Sequence, residues 1–180
     1  MGTLYYRLDA ADRIVEIGGC WNDFALANAG ESVLAECVLG SDIYDHVSGD
    51  ASRMFLHTLL TATRSLARDT TRPYRCDSPG VKRFMEMSLL PLADHGVMVA
   101  HRMIKVEPLP GRYDFIASKN QPYPPSRIVR CSICNRIKHA GEWLETDRAG
   151  ALGLLSSSEP TPVIYGVCDA CHASVRVDKR

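Results

Sequence analysis

The sequence has no long apolar run and no excess of charge of either sign. No stretch approaches the roughly 18 consecutive apolar residues of a membrane-spanning helix, and the polar N-terminus lacks the apolar segment of a secretory signal. The 21 basic residues balance the 21 acidic residues, so the whole molecule is not expected to attract nucleic acid. We therefore expect a cytoplasmic protein without a membrane partner, whose thiols are reduced or bound to metal.

Motifs of the common enzyme classes are also missing from the chain. It contains no Gly-x-Ser-x-Gly, no phosphate-binding P-loop and no His-Glu-x-x-His metalloprotease motif. His46 lies close in sequence to Asp42 and Asp45, but no nucleophile stands beside them, and a solvated turn explains these residues. We expect a protein that binds rather than an enzyme.

Two Cys-x-x-Cys pairs are the most specific chemical signal that the sequence contains. Thiolates are the preferred soft ligands of Zn²⁺, and four of them form a closed tetrahedral structural site. The two-residue gap lets both sulfurs of a pair turn toward one ion, and the 33 residues between the pairs are compatible with two knuckles on separate hairpins. The pattern predicts a structural Zn²⁺ site with four ligands, which are Cys131, Cys134, Cys168 and Cys171.

Three other uses of these cysteines stay open at this point. Disulfides require an oxidising compartment, which nothing in the sequence indicates, and one pair alone would suit redox chemistry. The segment Cys168-Asp169-Ala170-Cys171-His172 also matches the c-type haem attachment pattern. That reading leaves the first pair without a role. His172 is in addition an alternative to Cys171 as the fourth metal ligand.

The first hundred residues alternate between strand and helix patterns in a characteristic order. Two strands form a hairpin over residues 4–17, several short helices and a longer helix from about Ala51 to Ala67 follow, and three strands end the region. This order resembles the PAS domain. The segments that carry the resemblance are Tyr6-Arg7-Leu8-Asp9, Asp12-Arg13-Ile14-Val15, Trp21-Asn22-Asp23-Phe24-Ala25 and Leu39-Gly40-Ser41-Asp42-Ile43-Tyr44-Asp45.

The resemblance implies an α+β sensor fold over residues 1–107, with a five-stranded antiparallel sheet and helices on one face. It also implies a ligand between the sheet and the helices, a protein partner or small-molecule ligand, and self-association as a homodimer. Haem is an alternative cofactor, because haem-binding relatives place an axial ligand on the long helix, where His57 lies. The simpler interpretation is a surface or core histidine.

The remaining chain divides into a proline-rich linker, residues 108–126, and a four-cysteine module, residues 127–180. The module resembles a small zinc-ribbon-like tail of bacterial signalling proteins. The resemblance rests on the segments Cys131-Ser132-Ile133-Cys134-Asn135-Arg136, Gly141-Glu142-Trp143 and Gly166-Val167-Cys168-Asp169-Ala170-Cys171. A module of this size buries little apolar surface, so we expect it to fold only with its metal.

These observations predict a cytoplasmic signalling or sensory protein that acts by binding. A haem-based sensor is one alternative, and a redox- or metal-responsive switch, in which thiol oxidation releases zinc, is another. A nucleic-acid-binding regulator is the third alternative. Its phosphate contacts would be the basic residues around the first cysteine pair, namely Arg127, Arg130, Arg136 and Lys138.

Overall fold

The computed structural model describes residues 2–118 and 128–175, apart from the Val175 side chain, and divides the chain into two compact units. The first unit comprises Met1–Ser48, Arg53–Tyr74 and Met85–Lys105, and the second comprises Gly49–Ser52, Arg75–Phe84 and Val106–Arg180. The second unit therefore includes a segment, 75–84, that the sequence pattern assigns to the first domain. Residues 119–126 of the predicted linker and residue 127 of the predicted module lie outside the described residues.

A five-stranded antiparallel sheet organises the first unit, in the order β2-β1-β5-β4-β3. The strands are β1 Leu4–Leu8, β2 Ile14–Gly19, β3 Thr70–Arg75, β4 Val81–Pro91 and β5 Val97–Pro108. Alternate residues of β1 are buried, as a strand with one covered face requires. The predicted hairpin of β1 and β2 is confirmed, and Asp9 shapes its turn by accepting the backbone N–H groups of Ala11 and Arg13, each at 2.9 Å.

Helices connect β2 to β3. They are α1 Trp21–Leu26, α2 Ala35–Val38 and α3 Asp50–Leu66, with 3₁₀ turns at Glu31–Val33 and Ile43–His46. The long helix α3 buries Leu56, Leu59, Leu60 and Thr63, at the i, i+3, i+4 and i+7 spacing of one helical face. Its three leucines join the core with Tyr6, Leu8, Ile14, Val38, Ile43, Met87, Leu89, Val97 and Val99. Each fully buried leucine contributes about 1.5–3 kcal/mol.

Within the described ranges, none of the helices combines the length and the apolar character that crossing a membrane requires.

His101 lies on β5, where its Nδ1 atom is 2.9 Å from the Tyr74 hydroxyl and its ring is 5.7 Å from the ring of Tyr6. Burial lowers the pKa of His101 to about 4, below its ordinary 6.5. The unfolded chain therefore binds a proton that the folded chain excludes, and folding stability falls as the pH drops from about 6.5 to about 4.

Between these pH values, His101 is expected to cost the wild-type protein up to about 3 kcal/mol of unfolding free energy. The His101→Gln variant should not show this acid-dependent loss. Urea unfolding at pH values between about 7 and 4.5 measures the slope for each variant. The exposed His139, replaced in the same way, serves as the control. If the unfolding free energies of wild type and His101→Gln change with pH in the same way, the lowered pKa of His101 is contradicted.

The second unit has its own five-stranded sheet, in the order β6-β10-β7-β8-β9. The strands are β6 Phe115–Ala117, β7 Ile128–Cys131, β8 Ile137–His139, β9 Glu142–Leu144 and β10 Thr161–Gly166. β7, β8 and β9 pair antiparallel, whereas β10 runs parallel to both β6 and β7. The predicted linker, residues 108–126, is therefore too long, because it includes β6, which pairs within the second sheet.

Two helices complete the second unit, α4 Thr146–Ala151 and α5 Asp169–Val175. A small core of Ile137, Ala149 and Leu155 packs with the half-buried side chains of Tyr113 and Phe115. Further buried apolar residues of this unit are Leu109, Ile133, Leu144 and Val163.

Candidate metal centre

The parallel pairing of β7 and β10 brings the two cysteine pairs together. Cys131 is the last residue of β7 and lies opposite Gly166, the last residue of β10. Cys168 follows two residues later, and Cys171 lies in the first turn of α5. Because parallel strands end at the same edge of a sheet, both pairs reach one point. The prediction that each pair lies on a hairpin is wrong for the second pair, which connects a strand to a helix.

The sulfur positions match a tetrahedral thiolate site. The Sγ atoms of Cys131, Cys134, Cys168 and Cys171 all lie within 4.8 Å of one another, and those of Cys134 and Cys168 are 3.7 Å apart. A metal–sulfur distance of about 2.3 Å sets the edges of a tetrahedron at about 3.8 Å. A disulfide would instead hold two sulfurs about 2.05 Å apart, and all four cysteines are free thiols. The four cysteines can therefore hold a metal ion.

Backbone N–H groups point at two of the sulfurs. The N–H of Cys168 lies 3.4 Å from Cys131 Sγ, and the N–H of Cys171 lies 3.4 Å from Cys168 Sγ. The turn after the first pair closes when the N–H of Asn135 donates to the Cys131 carbonyl at 3.0 Å. Asn135 adopts a φ of +61°, a conformation that asparagine tolerates better than most residues.

The thiols differ in how readily they lose a proton. The hydrogen bond from the Cys134 thiol lowers the pKa of Cys131, and backbone N–H donors act in the same direction. Burial, followed by the hydrogen bond with Cys168, raises the pKa of Cys171. Since metal ligands must be deprotonated, binding a cation would release protons from the cysteines that remain protonated.

Other predicted residues lie outside this cluster. His172 is exposed on α5, and the structure groups Cys171, not His172, with the other three cysteines. His57 is exposed on α3, where its Nδ1 atom lies 3.1 Å from the Tyr44 hydroxyl, while the neighbouring leucines face the core. The ring centre of Trp143 lies 5.8 Å from the ammonium group of Lys138.

The basic residues around the first pair are not a free phosphate-binding group. Arg127 lies outside the described residues. Arg130 is buried, and the Nε atom of Arg136 lies 2.9 Å from the Glu145 carboxylate. Lys138 is exposed, and the Arg136 side chain is 42% exposed but pairs with Glu145. Arg130 is therefore not available as one of the predicted phosphate contacts.

A partly buried ion-pair network, which the sequence does not reveal, holds the segment 75–84 beside the first cysteine pair. The Arg75 guanidinium donates to both carboxylate oxygens of Asp77, at 2.9 and 2.7 Å, and to Glu145 at 3.2 Å. The Arg75 backbone N–H donates at 2.7 Å to the carbonyl of Ile133, which lies between two of the cysteines. Lys82 pairs with Asp147 at 3.0 Å. These contacts join three chain segments within the second unit.

Comparison with known proteins gives structural neighbours but no family. No protein-family model matches the chain, and no curated protein matches it. Among solved structures, the chain is similar to a domain of an HTR-like protein from Haloarcula marismortui, at 13% identity and a TM-score of 0.39. The match covers 57% of this chain and 98% of that one. Neither a family nor an activity follows from this similarity.

Proposed function

We propose that this chain is a signalling or sensory protein that acts by binding, without a reaction of its own. A PAS-like first unit takes a small-molecule ligand or a protein partner, and the second unit carries a structural Zn²⁺ ion. The four-cysteine cluster is the observation that carries the proposal for the tail. The five-stranded antiparallel sheet, with α3 packed on one face, supports the PAS-like interpretation.

Zinc is the metal that this donor set favours. Four thiolates exclude the hard cations Mg²⁺ and Ca²⁺, which bind oxygen, and a tetrahedral sulfur site suits zinc or iron. The cluster offers no place for an open coordination position, because all four donors come from cysteine. When bound, the metal would supply cross-linking rather than catalysis, joining β7, β10 and α5 at one point.

We expect purified protein to contain about one equivalent of zinc per chain and to show no visible absorption band, since structural Cys₄ sites bind one ion. Elemental analysis and an absorption spectrum test both expectations on one sample. Protein from cells grown with a haem precursor provides the control for the haem alternative. A Soret band would contradict the proposal and indicate a haem-based sensor. Iron in place of zinc would contradict the metal assignment.

The binding role of the first unit has a separate test. Native mass spectrometry of the full chain detects a small molecule that copurifies, and backbone amide resonances show which unit it touches. Sedimentation of the same sample reports the expected homodimer. A monomer with no ligand and no partner at any concentration tested would contradict the proposed role.

A further inference from the structure

A cavity of about 270 Å³ lies within the second unit, away from the four cysteines. It is lined mainly by residues of the 75–84 segment, of the chain just before β6, and of the second sheet. Its apolar walls are Pro79, Leu109 and Phe115, with the ring of Tyr113 beside them. The only basic residue in its lining is Arg130.

Arg130 is a buried cation that makes no direct ion pair with a described carboxylate. Its side chain is 7% exposed, its guanidinium lies 4.1 Å from the centre of the Phe115 ring, and its Nε atom has no hydrogen-bond partner. Among the described residues, no carboxylate lies within ion-pairing distance of it. Tyr165 is a hydrogen-bonding partner without a charge, and Asp77, which attracts Arg130 from a longer distance, is already paired with Arg75. The guanidinium stays protonated at neutral pH.

The neighbouring cations are arranged differently. Arg75, equally buried, holds the two oxygens of Asp77 and reaches Glu145, while Lys82 pairs with Asp147. A buried charge without a partner is strongly unfavourable, and a buried donor left unpaired adds to that cost. Arg130 is therefore suited to form an ion pair with a negatively charged ligand.

We propose that this cavity binds a small organic monocarboxylate, whose carboxylate pairs with the Arg130 guanidinium and whose apolar body lies against Phe115, Tyr113 and Leu109. One cation matches one negative charge. Asp77 and Asp114 also line the cavity, and their carboxylates would repel a dianion such as phosphate. The planar fork of arginine matches a carboxylate in two parallel hydrogen bonds.

The size of the cavity limits the ligand. A volume of about 270 Å³ is just below the range of drug-sized pockets. At about 30 Å³ for each water-sized group, it holds on the order of ten non-hydrogen atoms. Benzoate is a suitable probe, because it combines a single carboxylate with a flat ring of this size. Benzamide is its matched neutral control.

We expect the full-length zinc-containing chain to bind benzoate saturably and to bind benzamide about tenfold more weakly or worse, since charged hydrogen bonds carry the affinity. Calorimetry gives both dissociation constants, and amide resonances locate the site. Arg130→Met should weaken benzoate binding about tenfold or more, and Arg130→Lys should weaken it less. The zinc content and the thermal midpoint of each variant show whether it is folded.

Asp114→Asn provides a second test that leaves Arg130 in place. Asp114 is exposed, so its replacement is not expected to unfold the chain, and loss of its charge should tighten benzoate binding about twofold to fivefold. Equal affinity for benzoate and benzamide, tighter binding of inorganic phosphate, or no benzoate binding at millimolar concentration would each overturn the proposal. None of these outcomes bears on the PAS-like first unit or on the metal.

Discussion

Replacing Cys168 by serine is expected to abolish stoichiometric zinc binding and to unfold the second unit. Cys168 is 1% exposed, and its sulfur lies 3.7 Å from that of Cys134. Structural zinc sites supply about 10–16 kcal/mol of apparent binding free energy, more than a small core provides. Elemental analysis of the purified variant measures the zinc, and the dispersion of the second-unit amide resonances reports folding.

The chain supplies its own control for this experiment. Cys37 is an exposed thiol outside the cluster, so Cys37→Ser should retain one zinc and the wild-type spectrum. A chelator added to wild-type protein should reproduce the effect of Cys168→Ser without any substitution. A Cys168→Ser protein that keeps its zinc and its folded second unit would show that the cluster is not a structural metal site.

Replacing Asp77 by alanine is expected to lower the free energy of unfolding by about 3–5 kcal/mol, because it leaves a buried guanidinium without its main partner. The side chains of Asp77 and Arg75 are 4% and 7% exposed. Asp77 also accepts the backbone N–H of Arg83 at 3.0 Å, so the segment 75–84 loses a further contact. Urea unfolding measures the change.

Glu86→Ala is the matched control for the Asp77 variant. Glu86 also pairs with an arginine, Arg102, at 2.8 Å, but the two side chains are 32% and 63% exposed. Solvent screens such a pair, and its loss should cost about 0.2–1 kcal/mol. Similar losses for the two variants would mean that burial does not strengthen the Arg75–Asp77 pair.

Local patterns in the sequence are sufficient to predict the elements of the first unit. The alternation in β1 and the spacing of Leu56, Leu59 and Leu60 place a strand and a helix correctly, because both signals lie within a few consecutive residues. The expected helix from about Ala51 to Ala67 differs by one residue at each end from α3. Helix ends depend on fraying and capping, which the apolar pattern does not record.

The sequence predicts the four cysteines as a set but not the way in which they meet. Thiolate chemistry and the two-residue gaps identify the ligands, whereas the parallel pairing of β7 with β10 joins segments more than 30 residues apart. No local pattern specifies such a pairing. The same limit applies to Arg75 and Glu145, which are 70 residues apart and look like ordinary surface charges in the sequence.

The membership of segment 75–84 in the second unit has a consequence for recombining this tail with other proteins. A cut at residue 107 would leave Arg75 and Lys82 on one fragment and their carboxylates, Glu145 and Asp147, on the other. A chimera that transplants only residues 127–180 would therefore keep Arg136 beside Glu145 but lack Arg75 and Lys82. The tail can be transferred to another protein only if that protein supplies a segment equivalent to residues 75–84.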